Sequence, residues 1–325
     1  MTDAPSYRSI FLEPDWAHRK YYGWAVVEEG PGVTWLAKST SVIRRYVALS
    51  TIPAAQLAPP TALKAANKHL VAVTVKSFVD SEEIPITLGD RVLRPAPDRD
   101  RMFHRFTSVI DLRRPVEILW SQLRPQVRRD CRLAVEAGVT VQHTNNPSVE
   151  LVDLFFSRYS DMARSRSLAM PERRTIDLMF GGGNLTMHLA TLANATLSMI
   201  LVYSAGLSSI YSHGLRGPQG SIGSSQLLQW ETIKYLKDRG QHWYDLGGLV
   251  ELSGADGIAR FKRGLGGENL YMGAEYYAAA PIVSFAKRIR RGLKVSPRPK
   301  PSSPSSGASA GSGETPGSTP PTLPA

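Results

Sequence analysis

Between Phe106 and Leu246 the apolar residues switch repeatedly between a spacing of two and a spacing of three or four. A chain patterned this way folds as strands alternating with amphipathic helices, which assigns it to the α/β class. Phe106–Leu112 reads as a strand. After Pro115, residues Leu119, Leu123, Val127, Cys131 and Ala134 return at helical spacing, as one buried face requires. Arg124, Arg128 and Arg132 form a second column at i, i+4, off that face. Pro125 interrupts the pattern and marks either a kink or a later helix start. Gly138 ends the helix, and Val139–Gln142 opens a strand. Ser148 caps a second helix that runs to about Arg164, with Leu151, Val152, Phe155, Phe156 and Tyr159 facing inward. Asn184–Ala190 and Thr196–Ser204 read as adjacent strands, followed by Leu207–His213. Gly214–Ser224 reads as a flexible loop. From Ser225 a helix runs to Asp238 with Gly240 as its stop, and Trp243–Leu246 returns as a strand ending at Gly247–Gly248.

The first 110 residues carry weaker signals. Tyr22–Val27 and Leu70–Phe78 are rich in β-branched or aromatic residues and read as strands, with a short helix at Ala62–Lys68. Arg91–Arg105 is charged and broken by Pro95 and Pro97, which suggests an exposed crossing between two halves. Beyond Val295 the chain is almost entirely Pro, Ser, Gly, Ala and Thr, with nothing to bury, and is expected to be a disordered tail. The expected organisation is an N-terminal half over residues 1–105, a C-terminal half over 106–294 and a tail over 295–325.

A chain of 325 residues with 42% hydrophobic content can bury a sizeable core. Its net charge of +11 favours a polyanionic partner. Residues 286–325 hold seven Lys and Arg against the single acid Glu314, so residues 1–285 keep 32 bases and 27 acids, or +5. About half of the net charge therefore lies beyond residue 285. The single cysteine, Cys131, excludes an internal disulfide and a cysteine-rich metal site, and its helical position suits a small filler. The seven histidines have no metal-ligand spacing. No phosphate-loop lysine supports binding of a nucleoside triphosphate. Met1–Pro14 is polar, unlike a secretory signal, and Met199–Leu207 is too short to cross a bilayer, so a cytoplasmic protein is expected.

Four words of sequence occur in a telling order. The first is Leu123, Arg128, Arg129 and Arg132 ahead of Ala137–Gly138–Val139. The second is Tyr159, Ala163 and Arg164 with Pro171. The third is Leu227–Leu228–Gln229–Trp230–Glu231, then Ile233, Lys237, Gly240 and Tyr244–Asp245–Leu246–Gly247–Gly248. The fourth is Gly257–Ile258, Phe261–Lys262–Arg263–Gly264 and Gly266–Gly267. Together, over residues 106–278, they resemble the Fem-type aminoacyl-tRNA-dependent transferases of the FemAB, peptidoglycan-bridge family. The resemblance implies an α/β fold of two acetyltransferase-like (GNAT) halves with mixed central sheets. It also implies amide-bond formation, with aminoacyl-tRNA as co-substrate and no resident cofactor or metal. The chain lacks a long coiled-coil insertion, which implies the compact form. Its N-terminal half is degenerate, with Trp16, Tyr21 and Tyr22 as a remnant of the family's opening aromatic helix.

The resemblance places Lys262 at the transferred group, where a fixed cation stabilises a developing oxyanion. Arg260 and Arg263 would position phosphate oxygens, and Phe261 would either anchor the backbone or stack on the terminal adenine. Asp245, at a strand end before two glycines, orients an amine, takes its proton, or caps a turn. Tyr211 and His213 close a strand near the same place, His213 being the histidine considered as a proton carrier. Arg124, Arg128 and Arg132 make a ridge suited to a phosphate backbone, or simply a solvated face. The acceptor would be a small antibiotic-precursor-like amine or a muropeptide, with weak membrane-surface contact through the basic 287–294 segment. Two other readings stay open: an N-acyltransferase using acyl-CoA, and a non-catalytic protein that binds nucleic acid or a membrane surface.

Overall fold

The computed structural model describes residues 7–39, 43–166, 168–216, 222–249 and 257–279. The expected tail and the basic 287–294 segment lie outside these residues. After a short 3-10 turn at Ile10–Leu12 come α1 (Ala17–Lys20), β1 (Ala25–Gly30), β2 (Val33–Ser39) and β3 (Arg44–Ser50). The crossover containing α2 (Thr61–Lys64) leads to β4 (Val71–Ser77), β5 (Ile86–Leu88) and β6 (Arg91–Pro95). The second half begins with β7 (Phe106–Asp111), α3 (Val116–Gln122), α4 (Pro125–Glu136) and β8 (Thr140–Thr144). It continues through α5 (Val149–Arg166), α6 (Arg173–Gly181), β9 (Leu185–Leu192), β10 (Ala195–Ala205) and β11 (Ser208–Arg216). Last come α7 (Ser224–Asp238), β12 (Trp243–Leu249), α8 (Gly257–Gly264), β13 (Glu268–Tyr271) and β14 (Glu275–Ala279).

These strands form two seven-stranded sheets, β1-β2-β3-β4-β14-β6-β5 and β13-β7-β12-β11-β10-β9-β8. Each contains an antiparallel meander whose last strand pairs in parallel with the next strand of the chain, β3 with β4 and β11 with β12. The protein thus has an α/β fold of two halves with mixed central sheets. The long helix α7 makes the crossover in the second half, whereas four-residue α2 is the one α-helix in the corresponding crossover of the first. One face of the second sheet packs on α3, α4 and α7 through Leu119, Val127, Leu228 and Ile233. The other packs on α5 and α6 through Phe155, Ile176 and Met179.

Several sequence expectations need correction. The single helix expected after Pro115 is two, because Arg124 ahead of Pro125 is extended and Pro125 takes the first position of α4, where its missing N–H leaves no broken bond. Arg91–Arg105 does lead from the first sheet to the second, but it is more than an exposed crossing: it contains β6, buries Phe103 and leaves the Arg101 side chain only 6% exposed, held by Glu83 at 2.7 Å. Gly214 belongs to β11 rather than to a loop. The second half is not the unbroken stretch 106–294, because β14 pairs with β4 and β6 in the first sheet.

That return is tightly built. Gly273 has φ +77°, and a Cβ there would sit 2.1 Å from the Ser77 carbonyl oxygen, so no other residue fits. Glu275 then faces Lys76 across the β14–β4 ladder, and both are buried. The Glu275 carboxylate accepts the N–H groups of Met102 (2.7 Å) and Phe103 (3.0 Å), while Lys76 Nζ donates to the Gly273 carbonyl (3.0 Å). Burial raises the Glu275 carboxyl and lowers the Lys76 ammonium to about 8, and each charge opposes the other's shift. Glu275→Ala strands a buried ammonium and two amides, which should cost about 3–5 kcal/mol in urea unfolding. Lys76→Met combined with Glu275→Gln should cost less than Glu275→Ala alone.

Candidate functional site

The two parallel strand pairs differ in one respect. β3 and β4 stay in register along their whole length, from Arg44–Val71 to Ser50–Ser77. β11 and β12 pair only from Ser208–Trp243 to Ile210–Asp245, although both strands continue, to Arg216 and Leu249. Bulges drive them apart: β11 shifts register against β10 beside Leu201 and Val202, and β12 shifts against β7 between Asp245 and Gly248. Gly247 takes φ +82° inside the second bulge, a conformation that costs glycine little. The second sheet is therefore split beyond Asp245: among the described residues no ladder pair joins β11 to β12 there.

Helix α8 brings Lys262 to this split. The residue is 9% exposed, and its Nζ donates to the Gly248 carbonyl at 2.8 Å. A Cβ on Gly247 would lie 3.5 Å from both Lys262 Nζ and the Tyr211 carbonyl oxygen. Lys262 was expected on a turn; it lies in the last turn of α8, which Phe261 anchors by packing on the α3–α4–α7 core. The backbone-anchor reading of Phe261 is therefore the one consistent with its packing.

Asp245 is completely buried beside the split. Its carboxylate accepts from the Tyr7 hydroxyl (2.8 Å), the Thr107 hydroxyl and the Gly247 N–H (2.7 Å). Burial raises its pKa, and Thr107, Tyr7, Gly247 and Lys262 pull it back. A carboxylate sealed in this way fixes the Gly247 peptide and cannot reach an incoming amine, which corrects its expected role as a base. His213 is also misassigned as a proton carrier. Burial pushes it down to about 4, and its ring stands edge-on to Tyr159 of α5, on the sheet face opposite α8. The Tyr211 ring folds over Gly214 of its own strand.

The arginines separate. Arg124 donates its N–H to the Gly264 carbonyl (2.9 Å), so the start of α4 abuts the end of α8, and its side chain is exposed. Arg128 uses its guanidinium on the Ser121 (2.8 Å) and Leu123 carbonyls, which closes the end of α3. It is a helix-capping group rather than part of a phosphate ridge. Arg132, exposed, lies 5.8 Å from the Trp120 ring centre. Arg260 is exposed and Arg263 half-buried on α8.

One residue near the split was missed by sequence reasoning. The His104 ring lies flat on Gly248, where a Cβ would fall 1.9 Å from its Cγ. Burial on that side and the Lys262 charge lower its pKa below the usual imidazole value, with Lys76 adding and Asp245 opposing. Its only sequence signal is its place within the stretch that joins the two halves. Cys131, pushed up to about 12 by burial, is inert filler as expected. A separate cavity of about 1200 Å³ opens between the sheets, lined by Arg19, Glu29 and Phe78 of the first half and Arg113, Trp243 and Tyr271 of the second. Tyr7 lines it and covers Asp245, so this residue is the wall between cavity and split. Trp243 lies five residues, about 16 Å of strand, from Gly248.

The fold has counterparts among known structures. The crystal structure of FemX superposes with a TM-score of 0.62 over 86% of this chain and 96% of FemX, at 14% identity. The fold is FemX-like. The two halves are accordingly acetyltransferase-like, each with its mixed sheet. The C-terminal domain ascribed to a lysylphosphatidylglycerol synthetase from Agrobacterium fabrum matches at a TM-score of 0.50, with 11% identity, over 81% of this chain and 85% of that domain. No protein-family model and no curated protein matches the sequence. Among the described residues no helix is long and apolar enough to cross a membrane, and no group of three or more His, Cys, Asp or Glu could hold a metal ion.

The histidines around the FemX-like second sheet make its stability acid-sensitive. Burial lowers His213, and it also lowers His143 and His188, whose Nδ1 atoms lie 2.6 Å apart. Above pH about 6.5 these groups are neutral whether folded or unfolded, and contribute nothing to pH dependence. As pH falls below that value the unfolded chain takes up protons that the folded one refuses, and stability drops. For His213 the loss continues to about pH 4, at a limiting slope of about 1.4 kcal/mol per pH unit. Urea unfolding at pH 7 and pH 5 should show it, and His213→Asn should flatten the slope.

Proposed function

We propose that the protein transfers an aminoacyl group from aminoacyl-tRNA to an amine, forming an amide bond. The observation that carries the reading is the split between β11 and β12 with the Lys262 ammonium buried at its edge. An activated ester held there presents its carbonyl to a fixed cation. The amine nitrogen attacks the carbonyl carbon, and the charge that builds on oxygen is stabilised by Lys262 as the C–N bond forms and the C–O bond to the ribose breaks. No covalent enzyme intermediate is needed, because the ester is already activated and the work is mostly placement. Asp245 acts as a positioning residue, holding the Gly247 peptide through its N–H.

Exposed Arg124 and Arg260, with Arg263 beside them and Arg132 further along α4, form a basic rim around the end of α8 that suits the phosphates near a tRNA terminus. The cavity between the halves would take the body of the acceptor. Its mixture of arginine, glutamate and aromatic lining suits a polar molecule of some length, such as a peptidoglycan precursor or a small antibiotic-like amine.

The donor is tested with tRNA pools carrying labelled amino acids and a panel of amines, with and without ribonuclease. Transfer should stop when the tRNA is digested. Transfer that survives ribonuclease, or that requires acyl-CoA, would assign the protein to acyl-CoA chemistry instead. Lys262→Ala should lower the single-turnover rate at saturating tRNA by about 10²–10³, with little change in tRNA affinity. Weaker binding with an unchanged rate would make Lys262 a phosphate contact. Arg124→Ala and Arg132→Ala should weaken all tRNAs alike and reduce the salt dependence of binding by roughly one unit per lost contact.

A further inference from the structure

We propose that His104 accepts the proton of the attacking amine. The inference rests on the acyl-transfer reading and assigns that site the base it otherwise lacks. Gly248 is the meeting point: Lys262 Nζ holds its carbonyl at 2.8 Å, and the His104 imidazole lies against its α-carbon. A Cβ at position 248 would fall 1.9 Å from the ring, so the glycine leaves the space that the imidazole fills. Cation and imidazole therefore both adjoin one residue at the edge of the split.

The other titratable side chains expected there cannot do this work. Asp245 is sealed beneath Tyr7 and Thr107, and His213 packs on the opposite face of the sheet. His104 is exposed on its outer side, so an amine can reach it. Its backbone is held on both sides: the Phe103 N–H donates to Glu275 (3.0 Å), and the Arg105 carbonyl accepts from the Met272 N–H (2.9 Å). A ring carried on so fixed a segment keeps its bearing without a hydrogen-bonded partner of its own. Lys262 and Lys76 disfavour its protonation and Asp245 favours it, with the net result that it is neutral near pH 7 and able to accept a proton.

The proton balance closes. The neutral amine attacks the ester carbon and the C–N bond forms. Its nitrogen gives one proton to the imidazole. The C–O bond breaks, and the imidazolium returns that proton to the departing hydroxyl, restoring neutral His104. No other reagent is consumed.

The test uses the full-length protein, charged tRNA and the amine that the wild type accepts. His104→Gln, checked for an unchanged melting temperature, should lower the single-turnover rate by about 10²-fold at constant tRNA affinity. It should also remove the acidic limb of the pH–rate profile, and added imidazole should restore part of the rate to His104→Ala. In proton NMR the His104 ring, assigned by its loss in His104→Gln, should titrate below 6.5 and move upward in Lys262→Ala. If the wild type transfers and His104→Gln matches its rate and profile, the inference fails while acyl transfer stands. An NMR pKa at or above 6.5, unmoved by Lys262→Ala, also overturns it. A wild type that transfers from no donor defeats the acyl-transfer reading and this inference with it.

Discussion

The carboxylate of Glu275 ties the architecture to the candidate site. It enters the first sheet on a strand that has just left the second, faces buried Lys76 and accepts the amides of Met102 and Phe103. The next residue is His104, and two residues later β7 begins in the second sheet. One buried acid thus fixes the end of the first half, the start of the second and the segment carrying the imidazole. Burying that charge is costly unless it is partnered; two amides donate to it, and the charge of nearby Lys76 favours its ionised form.

The halves repeat a topology but differ in what the topology permits. In the first, the parallel pair β3–β4 is closed over seven residues, and its crossover keeps a single four-residue α-helix. In the second, α7 fills the crossover and packs Leu227, Leu228, Trp230 and Ile233 into the core, while bulges release β11 from β12 after three pairs. A closed pair satisfies its backbone groups internally and has none to offer a ligand. The split pair parts after Asp245, and the basic helix α8 ends beside it. The candidate site therefore lies in the second half, and the first half contributes a cavity wall and the His104 segment.

Much of the second half was legible because its elements are amphipathic. The stripe from Leu119 to Ala134, the inward Phe155 and Tyr159, and the apolar positions of α7 all follow from period alone. The glycines at 247–248 and the lysine at 262 also stood out in sequence, and the fold brings them together. The first half was less legible because β2 and β3 lack clean alternation and β5 and β14 are short: Trp35, Leu36 and Ala37 are buried in succession, as are Tyr46–Ser50. A strand covered on both faces loses the period-two signal.

The sequence by itself determined the class of fold, the helices that cover the second sheet and the glycine- and lysine-bearing segments, because each is encoded by neighbours a few residues apart. It could not determine which charges are buried or what each one faces. Arg128 looked like a phosphate contact until α3 ended beneath it; Asp245 looked like a base until Tyr7, 238 residues away, closed over it. His104 gave no sign beyond its place between the halves, because its meaning lies in Gly248 and Lys262, more than 140 residues along the chain. Contacts at such separation come from sheet register and chain crossing, which only the tertiary structure decides.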